Sequence, residues 1–259
     1  MRGARDGLGT GGVHERPGSQ LMPERLFDVA PDGQLFFGPG VLRRSPFAAD
    51  VAYIIALWAH IDGDLASILS RMLKADIAVG TAMYLSLVNS GGQRSALNTA
   101  AKEALPEWQQ LLLQTIGSVA ETSRTKRNQF AHRVWGHSSE LPDAILLTHP
   151  KTIVNHNVSH RQRAEILPDG RGVIRPEPID DKEILVYRQG DIDAAVAEAE
   201  HAQQLYRLFY AVVCDSGEGP KAQLLADPIV RKRLDEIGKN ASEEAKAILG
   251  IKAKEKRKH

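Results

Sequence analysis

The chain has one cysteine, Cys214, among 259 residues. An internal disulfide and a cysteine-based metal cluster are therefore excluded, which fits a reducing compartment. Charge of one sign is also missing: 33 Lys and Arg stand against 32 Asp and Glu, for a net +1. A polyanion would have to be met by a local cluster, not by bulk basicity. Long apolar runs are absent too. The longest, Val51 to Ala59, is far too short to span a bilayer. The N-terminus carries no apolar signal core, so a soluble cytoplasmic protein with no membrane partner is expected. There is no Gly-x-Ser-x-Gly elbow to support a hydrolase triad and no internal repeat.

What is present is mostly helical periodicity. Residues 1–44 are rich in Gly and Pro without a period, and read as a disordered or loosely packed arm. Leu35-Phe36-Phe37 can tack this arm to the body, with Gly38-Pro39-Gly40 as a turn. Gly7-Leu8-Gly9-Thr10-Gly11-Gly12 has neither a strand before it nor a helix after it, so a nucleotide loop is not expected there. Ser45 and Pro46 suit a helix start. Val51, Ile54, Trp58, Ile61, Leu65, Ile68 and Met72 then repeat at three and four, predicting a long amphipathic helix to about Ala75. Gly63 within it suits a bend or a close helix approach. His60 and Asp62 on this helix could reach a neighbouring helix's polar face.

A second helix is expected from Asp76 to Leu87. A third runs from Ser90 or Gly91 to Ala104, with Arg94 in its first turn, where exposed amides can bind phosphate. Leu105-Pro106 opens a fourth, read as continuous to Trp135. From Gly136 to Asp180 the sequence turns to short β-prone runs: Ala144–Thr148, Thr152–Val154 and Gly172–Ile174, with Pro168-Asp169-Gly170 as a turn and Glu183–Tyr187 beyond. They predict a small antiparallel sheet inserted at about 137–190. His137, His149, His156 and His160 lie there, but no cysteine or paired carboxylate completes a ligand set, and Asn155 to Ser159 do not read as a helix that would align two of them. No metal site and no cofactor are expected. The next long helix starts at Asp191 or Asp193 and ends near Cys214. Three short helices follow over 217–250, then a basic tail, Lys252 to His259. The expected fold class is mainly α: an antiparallel helical bundle over 45–216 with the small antiparallel β insertion, plus a C-terminal helical extension over 217–259.

The stretch that carries chemistry is Arg124-Thr-Lys-Arg-Asn-Gln-Phe-Ala-His-Arg-Val-Trp135. Leu112, Ile116, Ala120, Phe130, Ala131 and Val134 fall on one helical stripe, and Arg127 stands in the middle of it. A guanidinium directed there is costly unless an anionic or polar group meets it. Arg124, Asn128 and His132 follow at four-residue spacing on a neighbouring face. Arg grips phosphate through its planar fork, and His moves protons. RNA supplies its own nucleophile, the 2′-hydroxyl, so such a set could cleave it without metal.

Arg127-Asn128, three further residues and His132 resemble the Arg, polar residue, spacer, His motif of the HEPN superfamily (higher eukaryote and prokaryote nucleotide-binding domains). The similarity extends over residues 46–136 and 191–214. It implies a helical bundle and a metal-independent endoribonuclease, in a phage-defence or toxin system, with RNA as substrate. It also implies a homodimer whose two motifs share one cleft, and an antitoxin or other regulatory protein as a further partner. Arg127 would then stabilise the phosphate, His132 act as base or acid or orient the 2′-hydroxyl, and Asn128 hold the His or the phosphate. Arg124, Arg94 and Arg133 would contact RNA. Some toxin members carry a modifiable Tyr two residues after the His. Here that position is Val134, which puts that form of regulation in doubt.

Helix geometry separates Arg127 and His132 by about 140° of azimuth. A second subunit, or a helix that unwinds after Ala131, could bring both to one phosphate. Two other readings stay open. One is a non-catalytic HEPN-like module that binds RNA, nucleotide or protein. The other is a structural dimer in which Arg127 meets a carboxylate across an interface.

Overall fold

The computed structural model describes residues 23–29, 34–87, 89–162, 164–166, 172–174, 179 and 181–251. Its centre is a pair of 25-residue helices, α3 (Ala48–Met72) and α9 (Gln189–Val213). The apolar residues of α3 that repeat at three and four are the buried ones: Ile54, Ile61 and Ile68 are fully enclosed. By length and composition α3 could also cross a membrane. Here it is the core helix, packed along α9 through that helix's Ala195, Ala199, Ala202 and Phe209. Small residues on α9 let the two backbones run close.

Around this pair lie α4 (Ile77–Ser86), α5 (Ser90–Ala104), α6 (Glu107–Val119) and α7 (Glu121–His132). The starts of α4 and α5 have a local cause. The Asp76 carboxylate accepts from the Ala78 N–H at 2.8 Å, and the Asn89 side chain accepts from the Gly92 N–H at 2.7 Å. α3 begins two residues later than expected, because Ser45 turns back to accept from the Phe47 N–H at 3.2 Å instead of capping directly. The close helix approach is at Gly80 rather than Gly63. A Cβ on Gly80 would stand 2.0 Å from the Ser70 hydroxyl of α3, whereas one on Gly63 would meet nothing within 4 Å.

The fourth helix is not continuous to Trp135. It breaks at Ala120, which closes α6 and opens α7, and it ends at His132. Val134 and Trp135 belong to a strand, β3 (Val134–Ser138). It pairs with β4 (Leu141–Thr148), which in turn pairs with β7 (Leu185–Tyr187). Side chains alternate across these strands. Ile145, Leu147 and Tyr187 face the helices, while Ala144, Leu146 and Val186 face a second small core with Leu26 and Ile184. Buried on both faces, 144–147 reads as an unbroken apolar run.

The arm over 1–44 is in part built into this sheet. β1 (Glu24–Arg25) pairs with β7, and β2 (Leu35–Phe37) pairs with β3. The result is an antiparallel five-stranded sheet in the order β1-β7-β4-β3-β2. Gly136 makes room for this: a Cβ there would lie 2.4 Å from the Phe37 ring. Between β1 and β2 comes α1 (Leu26–Val29), and Gly38-Pro39-Gly40 opens α2 (Pro39–Arg44) instead of forming a simple turn. The run read as a strand at Thr152–Val154 is helical within α8 (Pro150–Gln162), which also contains the Asn155–Ser159 stretch read as non-helical. A hairpin of β5 (Ala164–Ile166) and β6 (Gly172–Ile174) follows. Its expected turn at 168–170 lies outside the described residues, as does the tail 252–259. The C-terminal helices are α10 (Glu218–Ala226), α11 (Pro228–Ile237) and α12 (Glu243–Leu249), with Asp227 capping α11. The fold is mainly α with a small antiparallel sheet.

Candidate functional site

The break at Ala120 sets the roll of α7. Its buried residues are Ser123, Lys126 and Phe130, spaced three and four apart. Ser123 accepts from the Trp58 indole of α3 at 3.0 Å, and Lys126 reaches Glu198 of α9 at 2.8 Å. Phe130 packs against Tyr187 and Trp135 with ring centroids 4.9 and 6.2 Å away. The Trp135 indole also donates to the Phe130 carbonyl at 3.2 Å, and the Tyr187 hydroxyl donates to Gln129. The core stripe is therefore Ser-Lys-Phe, not the apolar series through Ala131 and Val134. Arg127 sits at its edge, half-buried, and Ala131 is exposed.

Rolled this way, α7 turns Glu121, Arg124, Arg127, Asn128 and His132 toward one cavity of about 740 Å³, within the usual range for a ligand site. α3 contributes Asp62, α4 contributes Tyr84, α5 contributes Gln93, Arg94 and Asn98, and α9 contributes Tyr206. One chain thus lines the same cavity with both Arg127 and His132, although both lie within the regular helix α7. Arg94 and Arg124 join them. Arg133 does not: it caps the helix on the sheet side and donates to the Glu183 carbonyl at 3.4 Å. Of the pair His60 and Asp62, only Asp62 reaches the cavity, and His60 is exposed.

Three guanidiniums face two carboxylates here. Glu121 holds both Arg94 and Arg124. Arg127 donates to the Asn128 side-chain oxygen at 3.0 Å, but its buried Nε has no hydrogen-bond partner. Such an orphan costs about 1–3 kcal/mol and calls for an explanation. No carboxylate lies within ion-pair distance of Arg127 among the described residues. Burial pushes the Asp62 carboxyl above its ordinary value, and the Arg127 charge pulls it back only in part. Burial likewise lifts the Tyr206 hydroxyl to about 12, against the pull of Arg94 and with a further push from Asp62. Burial and then Asp62 raise Tyr84 too. These phenols stay protonated near neutrality.

Sequence reasoning missed Glu121, Tyr84 and Tyr206. For Glu121 a signal existed, since 121, 124 and 128 form one row on a helix. The tyrosines come from remote elements and had none. No group of three or more His, Cys, Asp or Glu among the described residues is placed to hold a metal ion. Fold and cavity together define a class only: a mainly-α protein with an arginine- and amide-lined cleft among its helices. The chain matches no family model, no curated protein and no solved structure.

Proposed function

We propose that this cavity is the active site of a metal-independent endoribonuclease of the HEPN type. The observation that carries the reading is the convergence of Arg127, Asn128 and His132 with Arg94 and Arg124 on one void. Arg127 lines the cavity with few protein partners of its own, so a phosphate there can be met by its guanidinium. The imidazole of His132, at the exposed rim, takes the proton of the 2′-hydroxyl or delivers one to the leaving 5′-oxygen. The 2′-oxygen bonds to phosphorus as the 5′-oxygen departs, leaving a 2′,3′-cyclic phosphate. Asn128 holds the Arg127 fork in place. A cytoplasmic role in phage defence or a toxin system, with a homodimer and a regulatory partner, belongs to the same proposal.

One observation favours the second reading, a non-catalytic RNA- or nucleotide-binding module. His132 is exposed and makes no hydrogen bond among the described residues, so nothing there fixes its ring. Incubation of the purified protein with total RNA in EDTA separates the two. Cleavage that disappears in Arg127→Ala and His132→Ala supports the nuclease, and binding without cleavage supports the module.

A further inference from the structure

The cavity lined by α7 has two unlike ends. Charge stands at its mouth: the side chains of Arg94 and Glu121 are 51% and 48% exposed, and His132 is exposed too. Its floor is enclosed and aromatic, with Trp58 at 4%, Tyr84 at 2% and Tyr206 at 5% exposure. One acid, Asp62 of α3, lies among these rings, and both tyrosine hydroxyls feel its charge.

The fold leaves the polar atoms of this floor unused. The Asp62 carboxylate makes no hydrogen bond and no ion pair with a described residue, and the Tyr84 and Tyr206 hydroxyls make no hydrogen bond with one. The other polar groups nearby are engaged: Glu121 holds Arg94 and Arg124, and the Trp58 indole donates to Ser123. Buried polar groups are normally paired. An acid close to two phenols, at the closed end of a cavity, therefore suits a ligand with a matching polar edge.

The chemistry of the floor selects that edge. The Asp62 charge turns a phosphate away and leaves it to the guanidiniums. A nucleobase has faces that suit aromatic walls and an edge that polar groups read. A carboxylate only accepts. Guanine alone among the four bases sets two donors side by side, N1–H and N2–H, where one carboxylate can take both. Uracil offers a single N–H between two carbonyls. Adenine and cytosine place their amino group beside a ring nitrogen that itself accepts. Guanine O6, next to N1, accepts in turn from a phenol. We infer that the floor is a guanine subsite, in which the Asp62 carboxylate accepts from N1–H and N2–H and a hydroxyl of Tyr84 or Tyr206 donates to O6. The inference rests on the proposed function for the phosphate held by Arg94, Arg124 and Arg127, and it names the base beside that phosphate.

Calorimetric titration of the full chain with the 3′-monophosphates of guanosine, adenosine, uridine, cytidine and inosine tests it. Guanosine monophosphate should bind at least about tenfold more tightly than the other three standard nucleotides. Inosine monophosphate, which lacks only the 2-amino group, should lose about tenfold against guanosine. Asp62→Asn should remove most of that guanosine–inosine difference, with the far-ultraviolet dichroism unchanged, which loss of packing alone would not do. Should Asp62→Asn not fold, the wild-type comparison of guanosine with inosine decides the matter. Equal affinity for the four bases, preference for another base, no binding at millimolar concentration, or guanosine selectivity untouched by Asp62→Asn overturns the inference. Its failure is distinct from that of the nuclease reading. RNA cut by a chain that binds all four nucleotides alike removes the subsite and keeps the nuclease. Selective guanosine binding by a chain that leaves RNA whole supports the subsite and removes the nuclease.

Discussion

The two sides of α7 solve the same problem differently. On the core side Ser123, Lys126 and Phe130 each meet a partner: an indole from α3, a carboxylate from α9 and two aromatic rings of the sheet. On the cavity side Arg127 reaches only its neighbour Asn128, and Arg124 is held by Glu121 one turn away on the same helix. The core side ties three layers together, while the cavity side holds polar capacity that the fold does not use up. Stability should therefore depend on the first set, and binding chemistry on the second.

Phe130→Ala should have the largest effect on stability, about 3–5 kcal/mol, because it empties an enclosed site between helix and sheet. A denaturant titration with an unchanged slope measures it. Glu198→Ala strands the buried Lys126 ammonium and should cost about 1–3 kcal/mol in the same titration. Arg127→Ala should stay within about 0.5 kcal/mol of wild type, since it removes an unsatisfied Nε along with its packing. A loss as large as that of Phe130→Ala would show that Arg127 is structural.

The smallest effect is on pH dependence. The Asp62 carboxyl is raised by burial, so the folded chain binds its proton more tightly than the unfolded chain. Stability from this group is present below the ordinary carboxylate value and is lost as pH rises from there through the raised folded value. Asp62→Asn should flatten that decline. Arg127→Ala should carry the Asp62 titration higher still, as read by carboxyl NMR, because Arg127 is the influence holding it down.

Much of the bundle was readable because its causes are local. The apolar period of α3 and the starts of α4 and α5 near Asp76 and Ser90 need no tertiary knowledge. The kink at Ala120 had no proline or glycine at the break. The sheet's edge strands come from an arm whose pairing partners lie about a hundred residues away or more, beyond any local pattern. α8 was hidden by its Thr, Val, Asn and His content, which is poor in strong helix formers. The motif residues could be read, but the roll of α7 could not, because its core stripe uses a serine and a lysine whose partners sit on α3 and α9. That roll decides why Arg124 faces the site, while Arg133, at the C-cap of the helix, leaves it.

The most direct test of the account is RNA cleavage in EDTA by the wild-type chain and by Arg127→Ala and His132→Ala. Each substitution is predicted to lower the rate by at least about 100-fold, with folding intact. Wild-type cleavage that persists undiminished in both variants, or a chain that leaves RNA whole, would contradict it.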